Sequence, residues 1–196
     1  EKRIQFYTDI FNSETPWEMQ FIEINGLFQR IAGKHYIEDV VPDRSIVKDN
    51  HGFLHFTGYW YMPNTFQAEK LADPLEDFYL YLNKRNIPLL YVAAPEKNMQ
   101  GYTKFPALIK NYGNDNVDAF LEQLGQKDIP YLDLRAELAK LKDKDHFFYY
   151  TDHHWTTPTA FWGFQQVVDT LNHDFNFRLD PQNKFRNSKN YTIQNN

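Results

Sequence analysis

Apolar positions in this chain switch repeatedly between helical and extended spacing. Past Pro63, Leu71, Leu75, Phe78 and Leu82 recur at three- and four-residue intervals and predict a helix. After Asn86, residues 88–94 form a continuous apolar run with the length of a buried parallel strand. Val117, Phe120, Leu121 and Leu124 return to helical spacing, residues 130–134 read as a second strand, and Leu138 and Leu141 mark a further helix. Strand, crossover helix and strand in that order predict right-handed βαβ units, hence an α/β fold with a mainly parallel sheet.

The flanks read differently. Residues 45–56 alternate around Asp49-Asn50-His51-Gly52 and predict a hairpin, with His51 and His55 as surface residues in or beside its turn. Residues 6–31 mix Phe, Trp and Ile with acidic residues around Pro16, a pattern for short helices that wrap a domain. Residues 1–44 are thus expected to form a lead-in segment of a single domain spanning 1–196, which contains no internal repeat, low-complexity tract or linker.

The densest chemistry lies in Tyr150-Thr151-Asp152-His153-His154-Trp155-Thr156. A helix follows at once: Thr157 is a capping residue type, Pro158 suits the first helical position, and Phe161, Phe164, Val168 and Leu171 keep helical spacing. At a helix N-terminus the unpaired N–H groups and the dipole favour an ionised Asp152. Two residues apart on extended backbone, Asp152 and His154 share a face, so the carboxylate can accept one ring N–H and leave the other nitrogen free as a base. Each residue alone also has a plainer role: Asp152 as a cap, the His pair as solvated groups, Trp155 as a core anchor. Metal ligation is a further alternative, since Asp-His-His is shared with phosphoesterases named for it. No HExxH pair, Cys cluster or acidic cluster supplies more ligands, however, and neither a metal nor an organic cofactor is expected.

Composition narrows the function classes. Net charge is −5 with no basic block, which disfavours non-specific nucleic-acid binding. Cysteine is absent, so disulfides, thiol catalysis and Cys-based zinc sites are excluded within this sequence. Aromatic residues make up 17%, enough for sugar-binding surfaces as well as a Phe-rich core. No apolar run approaches the roughly 18–20 residues that cross a bilayer.

The segment at Asp152 resembles the signature of the bacterial DHHW proteins, and Thr-Asp-x-His-Trp is similar to that of the SGNH-like O-acetyltransferases of alginate and other envelope polysaccharides. Val47-Lys48-Asp49-Asn50-His51-Gly52-Phe53-Leu54 resembles the early hairpin of that family. Leu89-Leu90-Tyr91-Val92-Ala93-Ala94-Pro95-Glu96-Lys97 resembles its strand ending in a Pro-x-Lys turn, and Tyr131-Leu132-Asp133-Leu134-Arg135 a third block. Together these cover most of residues 40–172. The resemblance implies a three-layer SGNH-hydrolase-like sandwich with Asp152 and His154 in a Ser-His-Asp triad and His153 at a variable position.

The family's nucleophilic Ser follows the Asp-x-His pair on a small-residue turn of the Gly-x-Ser kind. Ser13, Ser45 and Ser188 lie in no such context, so the nucleophile is expected beyond Asn196, in a longer protein of which this chain is a C-terminally truncated and inactive piece. Lys97, Trp155 and His153 are candidate substrate or oxyanion contacts, with a solvated charge as the alternative for Lys97. Asp133 and Arg135 are assigned no catalytic role. The expected activity is acyl transfer to cell-wall or exopolysaccharide hydroxyls, on a glycan partner and with a membrane-bound acyl-donor protein. The expected setting is extracytoplasmic, with the full-length protein anchored at the cell surface. A carbohydrate esterase and a non-catalytic polysaccharide-binding or assembly protein are the alternatives.

Overall fold

A computed structural model describes residues 18–37, 45–56, 63, 65–99, 101–107, 109–141 and 146–187. The chain divides into two compact units, 1–37 and 38–196. Among the described residues of the first, a helix, α1 (Glu18–Ile31), is followed by a short strand, β1 (Tyr36–Ile37). Pro16, expected to interrupt helical structure, lies outside the described residues.

The second unit begins, among the described residues, with the expected hairpin. β2 (Ile46–Lys48) and β3 (Leu54–Phe56) pair antiparallel, with Val47 opposite His55. Asp49 organises the turn: its Oδ1 accepts the N–H groups of His51 and Phe53, both at 2.9 Å, and Gly52 supplies the positive φ of 92° that closes it.

α2 (Ala68–Asn83), β4 (Tyr91–Ala93), α3 (Gly113–Gln126), β5 (Tyr131–Asp133) and α4 (Leu134–Ala139) realise the predicted alternation. β4 and β5 pair in parallel, Tyr91 opposite Tyr131 and Ala93 opposite Asp133, with α3 as the crossover. The strands are three residues each, shorter than the apolar runs that announced them. The buried stripe of α2 is also rotated from the expected one. Ala68 and Ala72 are buried and Leu75 and Tyr79 pack on the core, whereas Leu71 and Phe78 are exposed. Through these small residues α2 packs mainly against α3, and Leu71 and Phe78 stay outside. The first core joins Ala72, Ala93, Leu121, Leu124 and Ile129. At its edge Lys127 bridges Asp73 at 2.8 Å and Glu76 at 2.6 Å, tying the end of α3 to α2.

A second core underlies the chemistry. Phe53, Met99, Tyr102, Leu138, Phe147 and Phe148 are buried together, with Trp155 and Trp162 packed against them. Here α5 (Thr157–Asp174) passes Gly163 beneath the Trp155 ring. A Cβ on Gly163 would sit 3.0 and 3.1 Å from Trp155 ring carbons and 3.4 Å from Leu134. Gly163→Ala is therefore expected to lower the melting temperature. A rigid ring and a core leucine must move, at about 1–3 kcal/mol, against a helix-propensity gain of about 1 kcal/mol. An unchanged or raised melting temperature would show that Trp155 yields freely.

Arg135 fixes the start of α4. Asp133 caps the helix by accepting the Arg135 N–H at 3.0 Å, and the guanidinium grips the same carboxylate at 2.9 and 2.8 Å and Asp118 at 2.6 Å. This is a local ion-pair network at a strand end.

Candidate active site

The site grows from two buried phenylalanines. Phe148 forms an isolated antiparallel bridge with Trp155, Thr156 N–H donates to the Phe147 carbonyl at 2.9 Å, and Tyr149 N–H donates to that of His154 at 3.3 Å. Residues 147–150 are thus one side of a tight, bridge-closed loop rather than a full strand. Apolar side chains on both sides of the bridge are held in the second core, so the polar residues between them are displayed outward.

Thr156, one residue earlier than expected, is the N-cap of α5. Its hydroxyl donates to the His146 carbonyl at 2.8 Å and meets the Thr159 hydroxyl at 3.0 Å. Pro158 lies in the first turn, where its missing N–H costs nothing.

Within the loop, Asp152 Oδ1 accepts both the backbone N–H of His154 at 2.9 Å and the His154 Nδ1–H at 2.6 Å. The two side chains meet, as their spacing suggests, but on a bend instead of an extended segment. The carboxylate folds back over its own turn, as Asp does when it bonds two residues ahead. The same N–H donors hold Asp152 below the usual carboxylate range, a more local cause than the helix dipole. His153 does not turn away. Its Nδ1 is 3.4 Å from the same Asp152 oxygen, its ring lies 3.9 Å from that of His154, and Phe56 meets it edge-on at 6.0 Å.

One nitrogen of His154 is engaged by Asp152, and Nε2 is the ring atom left to act as a base. The His154 side chain is 63% exposed, so that atom is open to an incoming group. Asp152, His153 and His154 also place one ligand atom each within 4.8 Å of one another, and they are the residues that could hold a divalent ion.

Lys97 occupies a place the sequence did not suggest. It is 3% exposed, and its ammonium donates to the carbonyls of Tyr149 at 2.8 Å, Tyr150 at 3.3 Å and Asp152 at 2.5 Å. Burial pushes its pKa down to about 8, against the opposing pull of Asp152 and Asp49. All its protons are directed into the loop, leaving none for an oxyanion, and the charge is not solvated. Trp155 is half-buried against the second core and Gly163.

The hairpin supports the same loop. Tyr150 stacks on Phe53 at 4.3 Å with the rings 2° from parallel, and Leu54 N–H donates to the Tyr150 carbonyl at 2.8 Å. Behind this contact lies a pair missed in the sequence. His55, expected at the surface, is 4% exposed, and its Nε2–H donates to Asp49 Oδ2 at 3.1 Å. Strand alternation held the signal: the partner of inward-facing Val47 must itself face inward. His51 is exposed.

Residues 40–196, most of the chain, match the family model of the SGNH hydrolase-like domain of the acetyltransferase AlgX. The chain belongs to this family. PatB1 of Bacillus cereus, solved with a sulfonyl adduct, shares the fold of the AlgX-type domain with a TM-score of 0.59 at 21% identity, over 70% of this chain and 44% of PatB1. The chain thus spans less than half the length of PatB1. No curated relative matches in sequence. The resemblance to alginate-type O-acetyltransferases is borne out, and with it the SGNH-like α/β fold. Among the described residues no helix is long and apolar enough to cross a membrane.

Proposed function

We propose that this AlgX-type domain serves an enzyme that transfers acetyl groups to hydroxyls of cell-wall or exopolysaccharide sugars, outside the cytoplasm and anchored at the cell surface. The observation that carries this is the 2.6 Å bond from His154 Nδ1–H to Asp152, on a ring whose other nitrogen is open. His154 Nε2 takes the proton of a serine hydroxyl as that oxygen attacks the acetyl carbonyl. Collapse of the tetrahedral adduct expels the deacylated donor, which takes that proton from His154, and leaves an acetyl-serine. A sugar hydroxyl, deprotonated by the same nitrogen, then attacks the acetyl-serine; the serine oxygen leaves, recovers the proton from His154, and the sugar carries the acetyl group away. Asp152 keeps the ring in the required tautomer and stabilises its cation in each half. The membrane-bound acyl donor belongs to this proposal.

Ser45 is the one serine among the described residues, and at 1% exposure it cannot meet a substrate as it stands. The proposal therefore draws its nucleophile from outside the described residues. The sulfonyl adduct on PatB1 supports it, since such an adduct forms when a nucleophile attacks a sulfonyl centre. An esterase is the second reading, favoured by the exposure of His154: with water as acceptor, the same groups hydrolyse the intermediate.

A fluorophosphonate probe and an acetyl-ester assay on the longer protein test this proposal. Stoichiometric serine labelling and turnover are expected, with acetylated sugar in the presence of acceptor and free acetate without it. The 196-residue chain alone is expected to remain unlabelled. Labelling of Ser13, Ser45 or Ser188 with ester turnover would place the nucleophile inside this sequence. Turnover should also survive exhaustive chelation. Loss on chelation with recovery on adding zinc would recast Asp152, His153 and His154 as ligands.

A further inference from the structure

We propose that Lys97 is the positioning residue of the Asp152–His154 pair, its ammonium gathering three loop carbonyls into the one conformation in which the carboxylate meets the ring. The consequence for turnover rests on the acyl-transfer proposal above, whereas the geometric role does not.

An ammonium has three protons, and here the carbonyls of Tyr149, Tyr150 and Asp152 receive them at 2.8, 3.3 and 2.5 Å. A buried cation is costly unless paired and fully hydrogen-bonded. A carboxylate would be the simplest partner, but the bonds of this one go to backbone oxygens of nearly consecutive residues. Those dipoles converge only when the chain is curled, and converging carbonyls repel one another unless a positive charge sits at their focus. The curl is the backbone that carries Asp152, and from it the carboxylate reaches His154.

Lys97 itself is held firmly. Lys97 opens a turn closed by the Met99 N–H on the Glu96 carbonyl at 3.0 Å, and residues 97, 98 and 99 are all buried, so the turn plants Lys97 in the interior. The Thr103 hydroxyl donates to the Lys97 carbonyl, and the ammonium lies 5.6 Å from the centre of the Phe53 ring. Asp49 and His55 of the hairpin and Asp152 of the loop are the charged and titratable groups that face it, with the phenols of Tyr149 and Tyr150 on the same loop.

The test reads His154 directly. In the 196-residue protein, nitrogen-15 shifts of the His154 ring are expected to show a protonated Nδ1 and a bare Nε2. In Lys97→Met the ring should become a mixture of tautomers while the fold persists by circular dichroism. Lys97→Gln, which keeps amide donors without the charge, should fall between the two. If both variants unfold, the unaltered protein decides: couplings across hydrogen bonds should link Lys97 Nζ to the carbonyl carbons of Tyr149 and Asp152, beside a protonated His154 Nδ1. A folded variant with an unchanged His154 tautomer, or an unaltered protein that lacks these couplings, overturns the inference. In the longer protein, Lys97→Met should lower kcat about 10²-fold with KM unchanged. If the NMR signals respond but the unaltered enzyme turns over no ester, acyl transfer fails and the positioning role stands.

Discussion

His154→Ala in the complete enzyme is expected to cost several orders of magnitude in kcat, and Asp152→Asn about 10⁴-fold by comparison with the serine-hydrolase triad. The two losses have different origins. On the proposed mechanism, the loss of His154 leaves the serine proton without an acceptor. With Asn at 152 the ring stays, but the amide also offers N–H donors and no longer requires Nδ1 to be the protonated nitrogen. The present bond is short at 2.6 Å, and the N–H donors keep Asp152 ionised below the usual carboxylate range, so the tautomer is firmly set. The losses should not add, since both substitutions disable the same proton transfer. His153→Ala is the informative control. Its ring lies 3.4 Å from the same carboxylate oxygen and 3.9 Å from the His154 ring, so proximity alone does not exclude it as the base. Its loss is expected to stay well below the ~10²-fold that marks a working general base. Steady-state kinetics of the single variants and the His153/His154 double variant check this. Kinetics in which His153 is indispensable and His154 dispensable would exchange their roles.

Much of this site was legible because it is local. A carboxylate and an imidazole two residues apart, placed immediately before a capped helix, can meet through short-range geometry alone. The meeting was read from spacing, although the backbone turned out to bend there. The supports were harder to see because they come from across the chain. Lys97 lies more than fifty positions from the carbonyls it binds, and no periodicity in the Asp152 segment announces a buried cation. Its own segment did hold a clue. Pro95 ends the strand just before Lys97, and a turn at the end of a core strand can carry a side chain back into the interior. In α2 the apolar pattern correctly announced a helix and placed Leu75 on the core, but the buried face is rotated toward Ala68 and Ala72 and leaves Leu71 and Phe78 exposed. Hydrophobic size is a poor guide where two layers approach through small residues.

The strongest stability effect is expected at Asp49. Replacing it with Ala strands two buried donors, the Phe53 N–H and the His55 ring N–H, each at about 1–3 kcal/mol. The His51 N–H is more exposed and can turn to water. A loss of about 2–6 kcal/mol would lower the melting temperature by on the order of 10 °C in a chain of this size. Asp49→Asn should be milder, since its carbonyl oxygen still accepts the turn N–H groups and only the bond to His55 must rearrange. The pH dependence has a definite sign. Burial depresses the His55 pKa against the raising effect of Asp49, so as pH falls through the ordinary histidine range the unfolded chain takes up a proton that the folded chain refuses. Acid therefore destabilises the folded protein through His55, and His55→Gln should flatten that part of the profile. The damage should also reach the active site. The hairpin that Asp49 closes carries Phe53 beneath Tyr150 and Leu54 on the Tyr150 carbonyl, so loosening it releases the loop at the carbonyl that Lys97 also binds. Thermal melts from pH 5 to 8, run beside hydrogen exchange at Leu54, measure both effects. An Asp49→Ala protein as stable as the original, with Leu54 still protected, would mean that the turn closes without its carboxylate.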